Sequence, residues 1–201
     1  MKITLATNNK HKRDELVAVL QRELPNTFEI QTLVEAGLSG IEIEETGTTL
    51  EENALIKARA IHALTGSATL SDDTGLEVAA LNGEPGVYSA RYAGPRASYF
   101  DNVNKLLFSM LGKADRRARF KTVIAFIDDH GSEHLFSGEV AGTITLESKG
   151  SNGFGYDPVF EPLESEGRTF AELDPEQKNR ISHRARALNE AVRFLKASMK
   201  T

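Results

Sequence analysis

Lys2-Ile3-Thr4-Leu5-Ala6-Thr7-Asn8-Asn9-Lys10-His11-Lys12 is the stretch that sets the fold class. Lys2 to Thr7 alternates and is rich in β-formers, so it reads as a strand, and Asn8-Asn9-Lys10 breaks the pattern. A helix from about Lys10 to Leu24 follows, with Leu16, Leu20 and Leu24 on one face, Val17 beside it and Pro25 at its end. Phe28 to Leu33 reads as a second strand. A strand-loop-helix-strand opening predicts an α/β fold, a mixed β-sheet with helices packed on it.

The rest of the chain continues the alternation. Thr49 and Glu52 form a capping box for an alanine-rich helix that runs to about Leu64 and stops at Gly66. Ala68 to Leu70 leads into Asp72-Asp73, followed by a Thr74-Gly75 turn and an apolar, helical or irregular stretch from Leu76 to Leu81. Tyr99 to Leu111 reads as a helix, Arg119 to Ile127 as a strand, and Glu133 to Thr145 as two short strands. Lys149 to Asp157 is a glycine-rich loop. Asp174-Pro175 opens a short helix, and Ser182 caps a longer one with Ala185, Leu188, Val192, Leu195 and Met199 on its apolar face. No repeat or linker interrupts these elements, so a single domain over residues 1–201 is expected.

Composition narrows the classes of function. The net charge of -5 argues against a nucleic-acid coat or a membrane-surface role, so neither nucleic acid nor membrane is an expected partner. With no cysteine, disulfides, thiol nucleophiles and thiolate metal sites are excluded. The N-terminus lacks the long apolar region of a signal peptide, and no apolar run approaches the ~20 residues that span a bilayer. A cytoplasmic protein is the expectation.

Four segments carry chemistry. Thr7, Asn8, Asn9, Lys10, His11 and Lys12 join a strand to a helix start, where unpaired N–H groups suit phosphate. Positive charge there opposes the helix dipole unless an anion lies between, although the same residues also read as a solvated basic turn. Asp72 and Asp73 can hold a divalent cation, and one of them can deprotonate water. Their alternative is an Asx turn after a strand. Glu44 and Glu45, upstream of the helix cap, extend that set toward a Mg²⁺ site. Gly153-Phe154-Gly155-Tyr156-Asp157 lets a flat ligand approach the backbone, with Phe154 and Tyr156 able to stack on a base, or else forms a tight turn between strands. Lys178-Asn179-Arg180-Ile181-Ser182-His183-Arg184 is basic and crosses a helix junction. It suits anions or base oxygens, or forms a solvated face.

These segments, in this order, resemble the inosine/xanthosine triphosphate pyrophosphatases. The resemblance rests on Thr7-Asn8-Asn9 with Lys12, Glu45-Thr46-Gly47 with Glu52-Asn53-Ala54 and Lys57-Ala58, and Asp72-Asp73-Thr74-Gly75-Leu76. It continues through Pro85-Gly86-Val87-Tyr88-Ser89-Ala90-Arg91-Tyr92, Gly153 to Pro158, Phe170-Ala171-Glu172-Leu173, and Lys178-Asn179 with Ile181-Ser182-His183-Arg184. It covers nearly the whole chain. Two departures are His11, where glycine often precedes the lysine, and Thr74, where serine often follows the aspartates.

The resemblance implies an elongated mixed sheet flanked by helices, with two lobes around a central nucleotide cleft. It implies a Mg²⁺-dependent homodimer that cleaves the deaminated purine nucleotides ITP, dITP and XTP to the monophosphate and pyrophosphate, keeping them out of DNA and RNA. By position, the Thr7–Lys12 loop grips the triphosphate, Asp73 is the general base, and Glu45, Asp72 and Asp73 hold the metal. Thr74 contacts substrate, and Phe154, Gly155, Tyr156, Asp157, Lys178, His183 and Arg184 hold the nucleotide and its base. Donors from His183, Arg184 or loop backbone facing the purine 6-oxygen would disfavour an adenine amino group there, because buried donors would then oppose donors.

Overall fold

The computed structural model describes residues 2–25 and 27–198. Met199 lies outside them. Among the described residues seven strands form one mixed sheet in the order β2-β1-β3-β5-β6-β7, with β4 paired to β3. The chain divides into two compact units, residues 1–73, 122–138 and 184–201 in the first, and 74–121 and 139–183 in the second.

In the first unit β1 (Lys2–Leu5) pairs in parallel with β2 (Glu29–Gln31), and also in parallel with β3 (Ala68–Val78). Parallel neighbours need crossovers, and helices supply them. α1 (Lys10–Glu23) links β1 to β2, and α2 (Leu50–Thr65) leads into β3. α2 begins at the Thr49–Glu52 capping box and ends at Gly66, whose φ of 62° is the left-handed conformation that closes a helix without a Cβ penalty. Leu16, Val19 and Leu20 of α1 and Ala187, Leu188, Ala191, Val192 and Leu195 of α5 (His183–Ser198) share a core with Ile3, Leu5, Ala68 and Leu70. Ile61 of α2 packs in a different cluster, with Ala6 and Leu33.

The second unit holds the distal part of β3, β4 (Pro85–Gly86), α3 (Tyr99–Ser109), and parts of β5 (Arg117–Ile127) and β6 (Glu133–Ile144). β7 (Phe160–Pro162) pairs antiparallel with β6, and α4 (Pro175–Ile181) follows. Its core joins Leu76, Val103, Leu106, Phe120, Tyr156, Phe160 and Phe170.

Three expectations change. Asp72 and Asp73 lie inside β3, and Thr74-Gly75 is strand rather than turn. The expected helical or irregular stretch from Leu76 continues β3 to Val78, and only Ala79–Leu81 coils as a 3₁₀ turn. Acidic residues seldom continue a buried strand, and here distant cations allow it. Glu133 to Ile144 is one strand, because the period-two burial pattern runs on through Gly138. Gly142 has a second role, since a Cβ there would come within 2.4 Å of the Glu161 carbonyl oxygen on β7.

Candidate active site

Neighbouring residues of a strand point to opposite faces. Ala68, Leu70 and Asp72 point toward α1 and α5, and Ser71 and Asp73 point toward α2, where Ser71 Oγ donates to the Ala54 carbonyl at 2.6 Å. The two aspartates therefore occupy separate environments.

On the first face, Asp72 Oδ2 lies 3.1 Å from Lys12 Nζ and accepts from Arg184 Nε at 3.1 Å. The Arg184 guanidinium also donates through Nη1 to Glu15. Lys12 and Glu15 share this face because they are three apart on α1. Burial pushes the Asp72 carboxyl up, but the Lys12, Arg184 and Lys57 charges more than reverse this and hold it well below the usual carboxylate range. Burial lowers Lys12, with Asp72 opposing, and Arg184 is raised because Glu15 and Asp72 outweigh its burial.

On the second face, Lys57 Nζ donates to Glu45 Oε1 at 2.5 Å and to Asp73 Oδ1 at 3.3 Å. Asp73 Oδ2 is buried and has no hydrogen-bond partner among the described residues. Burial raises the Asp73 carboxyl, and Lys57 and Lys12 only partly offset it. Burial works against Lys57, yet Asp73, Glu45 and Asp72 leave it raised. The Glu45 loop is fastened to the start of α2. Gly47 N–H donates to Asn53 Oδ1 at 2.8 Å, and Glu52 accepts from the Thr48 N–H at 2.6 Å and the Thr49 N–H at 3.2 Å. A Cβ on Gly47 would lie 2.6 Å from the Glu52 Cβ, so only glycine permits this approach.

The strand-to-helix loop is capped by its own side chains. Asn9 caps α1 by accepting from the Lys12 N–H, Thr7 Oγ1 accepts from the Asn9 N–H at 3.2 Å, and Asn8 Nδ2 donates to the Ile41 carbonyl at 2.6 Å. Lys10 and His11 are exposed, and Lys12 reaches the carboxylate strand.

In the second unit the glycine-rich loop folds around Asp157. Asp157 Oδ2 accepts from the Phe154 N–H at 2.8 Å and from Lys178 Nζ at 2.7 Å. Lys178 Nζ also stands 4.7 Å from the Phe154 ring centroid, a cation–π contact on a half-buried ring. Gly153, with φ of 73°, lets the loop close on Asp157, since a Cβ there would fall 2.1 Å from Asp157 Oδ2. His183 is buried and stacks on Phe120, with centroids 4.4 Å apart and planes 13° apart. Gly155 and Thr74 are half-buried positions of this unit.

Several expected roles differ from these placements. Tyr156 is buried in the core and donates its hydroxyl to the Ser89 carbonyl at 2.8 Å, so its ring is not a platform for a base. Arg184 is engaged by Asp72 and Glu15. Among the described residues no three His, Asp or Glu side chains converge as a metal site. Strand alternation is the reason, because it turns Asp72 away from Asp73 and leaves Glu45 and Asp73 together on Lys57. That pair still fits Mg²⁺, which takes one or two carboxylates and fills its other positions with waters and substrate phosphates. The buried, unpartnered Asp73 Oδ2 supplies a free donor oxygen for it. Sequence reasoning missed Glu15 and Phe120, and it quoted Asn53 within a motif without giving it a role. Glu15, one helical turn beyond Lys12, is the one whose position carried a signal.

A mixed α/β sheet bearing buried carboxylates, paired lysines and a helix N-terminus beside them defines a phosphate-handling hydrolase class. The Ham1 family model matches residues 3–194, and the chain belongs to this family. It is 44% identical over 198 residues to a dITP/XTP pyrophosphatase of Flavobacterium johnsoniae, covering 98% of this chain and 100% of that one. It is 49% identical over 197 residues to a dITP/XTP pyrophosphatase of Porphyromonas gingivalis, covering 96% and 97%. The Ham1 protein of Staphylococcus aureus has a similar solved structure, with a TM-score of 0.87 at 39% identity, covering 98% of this chain and 100% of that chain. A divalent metal is general in nucleotide pyrophosphatases. Among the described residues no helix is long and apolar enough to cross a membrane.

Proposed function

We propose that this protein hydrolyses the deaminated purine nucleotides ITP, dITP and XTP to the monophosphate and pyrophosphate, keeping them out of nucleic acids. The observation that carries the reading is Asp73. It is a buried carboxylate raised by its surroundings, flanked by Glu45 and Lys57, on a strand whose other face is neutralised by Lys12 and Arg184. A general base with a raised pKa in a phosphate-handling site suits the activation of water. The names of the F. johnsoniae and P. gingivalis relatives support the substrate class.

In this reading Asp73 orients a water toward the α-phosphorus and takes its proton. Glu45 and Asp73 would hold Mg²⁺, which when bound would supply Lewis acidity toward the phosphate oxygens. Lys12 and the N–H groups at the start of α1, with Thr7, Asn8 and Asn9 shaping that loop, hold the triphosphate. Arg184 acts through Asp72 and fixes the strand from beneath. Phe154, Asp157 and Lys178 hold the base, with His183 beside them and Thr74 at the substrate. A cytoplasmic setting goes with this role, since the nucleotide pool lies there. A homodimer is part of the proposal. Tyr88, Phe100 and Phe108 of the second unit are 56%, 72% and 75% exposed, and they are the apolar side chains proposed to be covered by a second copy.

Steady-state hydrolysis of ITP, dITP, XTP, ATP, GTP and dTTP with Mg²⁺ tests the function. Preferential turnover of the first three with release of pyrophosphate is expected. Orthophosphate release, or equal rates across the panel, would contradict it. Sedimentation velocity of the protein and of Phe108→Lys tests the dimer, and an unshifted profile for the variant would remove this surface from consideration.

A further inference from the structure

Lys57 holds a position that its neighbours would otherwise offer to a divalent ion. Its ammonium bridges Glu45 at 2.5 Å and Asp73 at 3.3 Å, and its side chain is only 12% exposed. The three groups come from the loop before α2, from α2 itself and from β3, so the meeting is made by the fold rather than by local sequence. Two carboxylates facing one another in a largely buried place repel unless a cation stands between them. We propose that Lys57 is a resident counter-cation that excludes the metal from Glu45 and Asp73, so that metal entry requires its ammonium to move off at least one of them.

This inference rests on the functional reading only in taking Glu45 and Asp73 as metal ligands. It concerns the protein without nucleotide. Lys57 keeps the carboxylates at a fixed distance when no metal is bound, and it weakens metal binding in the absence of substrate. When the nucleotide arrives, its phosphates offer the released ammonium a new anion, and that exchange couples metal binding to substrate binding. Lys57 is thus a positioning residue. Arg184, held on the other face of β3 by Asp72 and Glu15, has no such exchange to make.

Mn²⁺ alone, without nucleotide, is the probe. In the parent protein, acetylation of Lys57 by acetic anhydride, read by peptide mass spectrometry, should be slow without metal. It should rise with Mn²⁺ along the binding curve followed by electron paramagnetic resonance. Lys57→Met should bind Mn²⁺ more tightly than the parent, by about 5- to 150-fold, the ordinary range of a coupling between two ligands. Lys57→Gln gives a second variant if the first fails to fold. Labelling of Lys57 that ignores Mn²⁺ would overturn the inference, because general charge repulsion alone would leave the ammonium in place. Equal or weaker Mn²⁺ binding by both variants would overturn it too. Hydrolysis of dITP by the parent is a separate readout. Its absence would remove the proposed function and leave the ion competition to be judged on its own result.

Discussion

On the α1 face of β3, Asp72 is 1% exposed and meets both Lys12 and Arg184 at 3.1 Å. On the α2 face, Asp73 is 6% exposed, shares Lys57 with Glu45 at a longer 3.3 Å, and keeps one buried oxygen without a hydrogen-bond partner among the described residues. Both are aspartates on one strand, at similar depth. Burial pushes both carboxyls up; the cations around Asp72 more than reverse it, while those around Asp73 do not. The lower one is a fixed anion that ties α1 and α5 to the sheet. The higher one holds a proton more readily than an ordinary aspartate, as a group that takes a proton from water must.

The largest expected effect separates the two by rate. Asp73→Asn should lower turnover about 10²–10⁴-fold, the usual contribution of a general base, with nucleotide binding retained. Steady-state kinetics and equilibrium binding of the same variant check this. A near-normal rate would end the assignment. Next comes stability. Asp72→Asn leaves Lys12 and Arg184 buried without their shared anion, and such losses cost about 3–5 kcal/mol, readable by urea unfolding.

Acid titration sharpens the contrast. Asp72 has a depressed folded pKa, so its stabilisation is present above the unfolded value and is lost as pH falls through the folded one. Asp73 has a raised folded pKa, so its contribution is present below the unfolded value and is lost as pH rises through the folded one. Unfolding free energy measured from neutral pH downward should therefore fall less steeply in Asp72→Asn than in the parent. An identical acid limb would mean that Asp72 is not held as an anion by its partners.

The smallest effect comes from the second unit and serves as a control. Gly153→Ala forces a left-handed residue to carry a Cβ against Asp157, a cost of about 1–2 kcal/mol. It should lower unfolding free energy by that amount and raise KM as the loop around Asp157 and Lys178 shifts, read by urea unfolding and steady-state kinetics. The acid limb set by Asp72 should stay in place. A shift in that limb would show that the two units do not divide the work as their contacts suggest.

The sequence made the helices and most strands legible through local signals. Thr49 with Glu52, Gly66 and Asp174-Pro175 each act within a few residues, and each punctuates the chain where expected. Asp72-Asp73 misled because adjacency in sequence suggested one metal-binding pair. Strand alternation separates them, and the cations that permit a buried acidic strand come from Lys12 and Arg184, far away in the chain. Tyr156 misled for a similar reason. An aromatic ring beside glycines reads as a base platform, and only the distant Ser89 carbonyl shows that this ring belongs to the core. Lys57 was visible as a charge, but its bridge between Glu45 and Asp73 depends on a loop pinned by Asn53, which no local pattern announces.

Paired urea unfolding of Asp72→Asn and Asp73→Asn at neutral pH, without metal or nucleotide, puts the difference between the two carboxylates to its sharpest test. Asp72→Asn should lose about 3–5 kcal/mol, while Asp73→Asn should match or exceed the parent, because folding already disfavours its charge. Equal losses in both variants would mean that the two aspartates form one structural ion cluster. Asp73 would then have no claim to be the base.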